Sequence, residues 1–68
     1  MVKINMILQN SNGKPYQWAF IAKDEDCKII QSGGVYYSQC ADYASAKREV
    51  EREMMVFHGI KSDEMIFN

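Results

Sequence analysis

The sequence predicts a small α+β domain, in which one amphipathic helix packs on one face of an antiparallel sheet of three or four strands. Two observations lead to this prediction. Apolar residues alternate with polar ones in the first half of the chain, and they recur at steps of three and four between residues 38 and 59. A helix with one apolar face needs a surface to cover that face, and the strands provide it. The predicted order is β-β-β-α-β, with residues 60–68 as the candidate last strand.

The first two strands are predicted to form a hairpin. Asn12-Gly13 lies in the turn between them, and both residues tolerate the positive φ angles of a tight hairpin. The core-facing residues of the two strands are expected to be Val2, Ile4, Met6 and Leu8, followed by Tyr16, Trp18, Phe20 and Ala22.

A third, short strand is predicted from Cys27 to Ser32, with Gly33-Gly34 closing it. The acidic run Asp24-Glu25-Asp26 precedes it. Three adjacent carboxylates cannot all point inward and lack the alternating ligand spacing of an EF-hand, so we expect a solvated turn and no metal.

The helix is predicted to begin near Ser38 or Asp42 and to end at Gly59. Either of the first two residues can cap the helix through a side-chain oxygen, and glycine suits the left-handed position after a helix end. His58 suits the negative end of the helix dipole. The apolar stripe is expected to comprise Tyr43, Ala46, Val50, Met54 and Phe57.

The opposite face of the helix is charged. Lys47, Arg48 and Arg52 are the candidate phosphate contacts if the chain binds nucleic acid. Glutamates lie between them and would repel phosphates, and the spacing predicts the ion pairs Lys47–Glu51 and Glu49–Arg52. A solvated helix face is therefore favoured, with nucleic-acid binding as an alternative.

Length and composition limit the possible functions. The chain has 68 residues, enough for one domain over 1–68, and 47% of them are hydrophobic, which argues against disorder. The net charge of −1 does not favour nucleic acid as the partner. No apolar run approaches the roughly 18 residues of a membrane span, and no signal peptide is evident. We expect a protein of the cytoplasm.

No catalytic constellation is evident. Cys27 and Cys40 lack CxxC spacing, and with one histidine they make a poor zinc set. We expect two reduced, partly buried thiols, with a disulfide as the alternative. His58 has no nucleophile placed beside it by spacing, and Gly33-Gly34 lacks the residues of a phosphate loop. We therefore expect no enzymatic activity and no cofactor.

Apolar residues exceed what one helix stripe can bury. The residues from Met54 to Phe57 are consecutive, and Tyr36 and Tyr37 are adjacent, so some must face the last strand or a partner. Exposed tyrosine and methionine are enriched at interfaces. The predicted partner contacts are Tyr36 or Tyr37, Met55, and the acidic run Asp24, Glu25 and Asp26, which would steer the approach.

Two resemblances extend this reading. One set of residues spans 16–53 and comprises Tyr16-Gln17-Trp18-Ala19-Phe20, Lys28-Ile29-Ile30, Ser32, a tyrosine at 36 or 37, Ser38, Ala46 and Val50. With these residues, this part of the chain resembles the YegP-like family of small bacterial β-β-β-α modules. The acidic run stands where that family has an Asn-Gly turn. The family has no well-defined activity, so the resemblance implies the fold and a homodimeric structural module.

Ser45-Ala46-Lys47-Arg48, with Phe57-His58-Gly59 and a short strand after it, is similar to a helix-to-strand passage in small phage anti-CRISPR proteins. That similarity covers about a third of the chain. It implies a stoichiometric inhibitor, encoded by a phage or mobile element, that occludes a nuclease complex of host defence. The leading hypothesis is therefore a protein-binding module whose partner is a host protein or complex, and a homodimer is the alternative.

Overall fold

The computed structural model describes all 68 residues and contains one four-stranded sheet and one α-helix. The strands are β1 (Val2–Ser11), β2 (Lys14–Lys23), β3 (Ile29–Tyr36) and β4 (Met65–Phe67). The helix α1 spans Tyr43–His58, and a single 3₁₀ turn at Ser62–Glu64 leads into β4. The strand order is β3-β2-β1-β4, and α1 packs on one face. The predicted α+β class and element order are confirmed.

The last strand makes the sheet mixed, whereas an antiparallel sheet was predicted. Val2 lies opposite Met65 and Ile4 opposite Phe67, with β4 parallel to β1, while the other pairs of strands are antiparallel. The Asn68 N–H extends this contact by donating to the Ile4 carbonyl oxygen at 2.9 Å. The direction follows from the topology: β3 runs parallel to β1, and α1 carries the chain back before β4 begins.

The β1–β2 hairpin turns at Asn12 and Gly13, whose φ angles of 53° and 77° confirm the predicted turn. A shift in register between Gln9 and Asn10 brings Pro15 opposite Asn10. Such an irregularity suits proline, which has no N–H to contribute to the ladder.

The third strand differs from the prediction. It begins at Ile29 and continues through Gly33-Gly34, which were expected to end it. Gly33 lies opposite Phe20, and a Cβ atom at this position would lie only 3.3 Å from the Phe20 ring. The glycine is therefore present to make room for an aromatic ring. Cys27 lies outside the strand, with a φ angle of 62°.

The core lies between α1 and the sheet. Ala46, Val50 and Met54 are fully buried, as predicted. Phe57, assigned to the same stripe, is 69% exposed, so that assignment is wrong. The chain turns at Gly59, and Ile60 packs against the core after Met54, to whose carbonyl oxygen it donates its N–H at 3.3 Å. The sheet and the connections contribute Val2, Ile4, Phe20, Ala22, Val35, Cys40 and Met65.

Both predicted ends of α1 are confirmed, and Asp42 is the cap. Its carboxylate accepts a hydrogen bond from the Ser45 N–H at 2.7 Å. Hydrogen bonds from the Ser45 side chain and backbone lower the pKa of the Asp42 carboxyl group. At the other end Gly59 is left-handed, with a φ angle of 65°, and its N–H bonds to the carbonyl groups of the last turn.

Candidate protein-binding surfaces

Tyr36 and Tyr37 point in different directions, as their adjacency predicted. Tyr36 is 61% exposed and lies opposite Gln17, on the sheet face away from α1. Tyr37 is half-buried, and its N–H donates to the Tyr16 carbonyl oxygen at 2.8 Å. Tyr36 is therefore the outward member of the pair.

The acidic run forms a turn, as expected, and two of its three carboxylates make contacts within the chain. Asp24 Oδ1 accepts hydrogen bonds from the Asp26 and Lys28 N–H groups at 2.9 and 3.0 Å. Glu25 lies 2.6 Å from the amino group of Met1. That hydrogen bond and the positive charge of the amino group lower the pKa of Glu25. The Asp26 carboxylate has no such contact. Because the donors to Asp24 are uncharged, only the charge of Glu25 is offset, and the turn keeps a net negative charge.

The C-terminal turn of α1 carries the most exposed apolar residues of the helix. Val56 and Phe57 are each 69% exposed, and Met55 is 47% exposed. Val56 and Phe57 line an open depression of about 130 Å³ together with Arg52 and Glu53. We call the three apolar residues Met55, Val56 and Phe57 the helix-end patch. The sequence prediction included Met55 but missed the other two, although the run of four consecutive apolar residues was the signal.

A second apolar area lies on the sheet face away from α1. Ile7 is 65% exposed and lies opposite Ala19, and the neighbouring Ile21 is 40% exposed. These residues line a shallow depression of about 310 Å³, bordered by Asn5 and Gln9. No helix covers this face.

Two of the three cations predicted as phosphate contacts have partners within the chain. The Lys47 ammonium group lies 5.1 Å from the centroid of the Phe67 ring, so the predicted Lys47–Glu51 pair is not formed. Arg52 pairs with Glu49 at 3.2 Å, as predicted. Arg48 alone is exposed without an ion pair. One unpartnered cation does not make a basic face.

His58 joins the end of α1 to the edge of the sheet. Its Nε2 lies 2.7 Å from Oε1 of Gln31, whose Nε2 in turn donates to Oε2 of Glu53 at 3.1 Å. These contacts fit the expected helix-end histidine.

The two cysteines are free, as expected, but only Cys40 is buried, and Cys27 is exposed instead of partly buried. No group of three or more histidine, cysteine, aspartate or glutamate side chains is placed to hold a metal ion.

Comparisons of the chain with protein-family models, with curated proteins and with solved structures found no match. No helix of the chain is both long enough and apolar enough to cross a bilayer.

Proposed function

We propose that this chain is a protein-binding module that acts by covering part of a partner protein and catalyses no reaction. The observation that carries the proposal is the helix-end patch. Its side chains are exposed although the core is filled before them by Met54 and after them by Ile60. Folding of the chain therefore does not require the large side chains of Val56 and Phe57.

The composition of the patch suits a protein interface. An aromatic side chain buries about 150–250 Å² on contact, and aromatic and methionine residues are enriched where partners meet. Arg52 and Glu53 border the patch and provide charged groups for a polar rim. Phe57 is the residue we expect to contribute most to affinity, since large aromatic anchors dominate binding energy.

The predicted contacts are not all part of this site. Met55 belongs to the helix-end patch, whereas Tyr36 lies on the sheet face away from α1. Because the acidic run Asp24-Glu25-Asp26 does not line the depression at the end of α1, we assign the partner site to the helix-end patch alone.

The proposal is tested by binding assays with paired surface variants. Phe57→Ser in the tagged full chain should abolish retention of the partner that the wild-type chain captures stoichiometrically. Ile7→Ser is the matched control, because Ile7 is similarly exposed but lies on the sheet. Thermal unfolding of both variants should match the wild-type chain. Equal retention by the Phe57 variant would contradict the proposal.

The narrower hypothesis, an inhibitor encoded by a phage or mobile element against a CRISPR-type nuclease complex, rests on the resemblance at Ser45–Arg48 and Phe57–Gly59. It is tested by target cleavage in the presence of one equivalent of the chain per complex. Inhibition that the Phe57→Ser variant loses would connect this activity to the helix-end patch.

A homodimer is the second candidate, and the uncharged edge of β3 favours it. Nucleic-acid binding through Lys47, Arg48 and Arg52 has less support, because two of the three cations have partners within the chain. Binding that weakens steeply with added salt would be needed to revive it.

A further inference from the structure

The free edge of β3 has few of the features that usually prevent strands from pairing between molecules. The register shift beside Lys23, near the start of the strand, is the one that it has. β3 is a terminal strand of the sheet, and its eight residues include no charged residue and no proline. Natural edge strands are commonly protected by short length, by lysine or by proline. At the other side of the sheet, the edge strand β4 has only three residues.

Backbone groups along this edge are available for a second strand. The Tyr37 N–H donates to the Tyr16 carbonyl oxygen, so the backbone groups of Tyr37 point towards β2. Successive residues of β3 point their N–H and C=O groups alternately towards β2 and away from it. The N–H and C=O groups of Ser32 and Gly34 therefore point away from β2. Neither residue has another backbone hydrogen bond outside the ladder.

The side chains along the edge are arranged in a self-complementary way. Tyr36 and Ile29 are each 61% exposed, and both lie on the sheet face away from α1. In the β2–β3 ladder, Tyr36 and Ile29 each lie three residue pairs from the Gly33–Phe20 pair. The count is equal on the two sides because the register shift beside Lys23 leaves Ile30 without a partner. A two-fold axis at Gly33 would thus bring each tyrosine opposite an isoleucine.

We propose that β3 pairs antiparallel with β3 of a second copy of this chain, about a two-fold axis at Gly33. Ser32 of each copy exchanges N–H···O=C bonds with Gly34 of the other, and Tyr36 of each copy covers Ile29 of the other. Aromatic and β-branched residues directly opposite one another stabilise a strand pair. The two glycines on the axis form a close pair that has no side chains to clash.

The size of the contact is consistent with a reversible dimer. Two tyrosines, two isoleucines and the paired backbones bury on the order of 1,000 Å² in total, near the lower limit for a specific interface. The pairing brings no like charges of β3 together, because the strand has none. We therefore expect dissociation in the micromolar range.

The test is sedimentation of the full chain from about 1 µM to about 1 mM, a range that brackets micromolar dissociation. The average mass should rise from 7.9 kDa towards twice that value. Ser32→Lys should remain monomeric, because two lysines would meet beside the axis, while Asn5→Lys, the same charge change elsewhere on that face, should behave as wild type. Circular dichroism confirms that each variant is folded.

Tyr36→Ser provides a second variant that adds no charge to the edge. It should raise the dissociation constant about tenfold or more, through loss of both tyrosine–isoleucine contacts. A wild-type chain that stays at 7.9 kDa over the whole range would overturn the proposal. So would a dimer that Ser32→Lys leaves intact, since its interface would then lie elsewhere. The partner proposed for the helix-end patch is tested separately, by the capture assay with Phe57→Ser.

Discussion

The Trp18 indole N–H donates a hydrogen bond to the Cys40 carbonyl oxygen at 2.9 Å, which ties the connection before α1 to the middle of β2. The Tyr43 ring lies edge-on to the same indole, with the ring centroids 5.8 Å apart. A side chain of the second strand thus holds the segment that leads into the helix, and this contact can be tested separately from the apolar core.

Trp18→Phe should destabilise the fold by about 1–3 kcal/mol, because it removes the donor and leaves the carbonyl of a buried residue unpaired. A loss of this size is a large fraction of the roughly 3–10 kcal/mol expected for a chain this short. Urea unfolding followed by circular dichroism measures it. Tyr16→Phe, at a more exposed aromatic position, serves as the control and should change stability little.

Truncation to alanine should reduce stability strongly at Met54 and hardly at all at Phe57, although the periodicity places both residues on one stripe. Met54→Ala should cost about 2–5 kcal/mol, because it opens a cavity in a fully buried site. Phe57→Ala should stay within about 0.5 kcal/mol, because the ring is 69% exposed. Thermal unfolding of the two variants measures these losses of stability. A large loss of stability for Phe57→Ala would place the ring in the core.

This contrast shows where sequence reasoning succeeded and where it could not. The burial of Ala46, Val50 and Met54 and the caps at both helix ends follow from local spacing and side-chain chemistry, so the sequence was sufficient to predict them. Phe57 has a suitable position on the stripe, but its exposure depends on where the chain goes after Gly59.

Long-range contacts account for the other differences. The role of Gly33 depends on the Phe20 ring across the ladder, and no local signal distinguishes such a glycine from one that ends a strand. The engagement of Glu25 depends on an amino group twenty-four positions away. The apolar run at the helix end indicated a surface site, but the residues that are exposed could be assigned only in three dimensions.

Acid should weaken the cap of α1. The pKa of Asp42 is lowered in the folded state, so the ionised carboxylate stabilises the fold at neutral pH. This stabilisation is lost as the pH falls from about 4, the ordinary carboxyl range, through the lowered pKa. Asp42→Asn keeps an oxygen that can accept the Ser45 hydrogen bond but cannot titrate. The difference in melting temperature between the wild-type chain and this variant should therefore shrink below about pH 4. A difference that is constant from neutral to acidic pH would contradict this assignment.

The two thiols should react at very different rates. Cys27 is exposed and Cys40 is buried, so a thiol reagent such as dithionitrobenzoate should modify one cysteine rapidly in the folded chain. The second should react only after unfolding in urea. Cys27→Ser identifies the fast thiol, since this variant should show only the slow phase. Two rapid phases in the wild-type chain would mean that the segment around Cys40 opens readily.

The parallel pairing of β4 with β1 has a consequence for the order in which the fold is completed. Nearly the whole chain lies between Val2 and Met65, so this contact closes the longest loop in the molecule, whereas β1, β2 and β3 pair with neighbours in sequence. During synthesis on the ribosome, the three-stranded meander can form while the outer side of β1 still lacks a neighbour. Until residues 65–67 pair with Val2–Ile4, the nascent chain therefore exposes this part of β1 as well as the edge of β3, and in that interval it is most prone to pair with other unfolded chains.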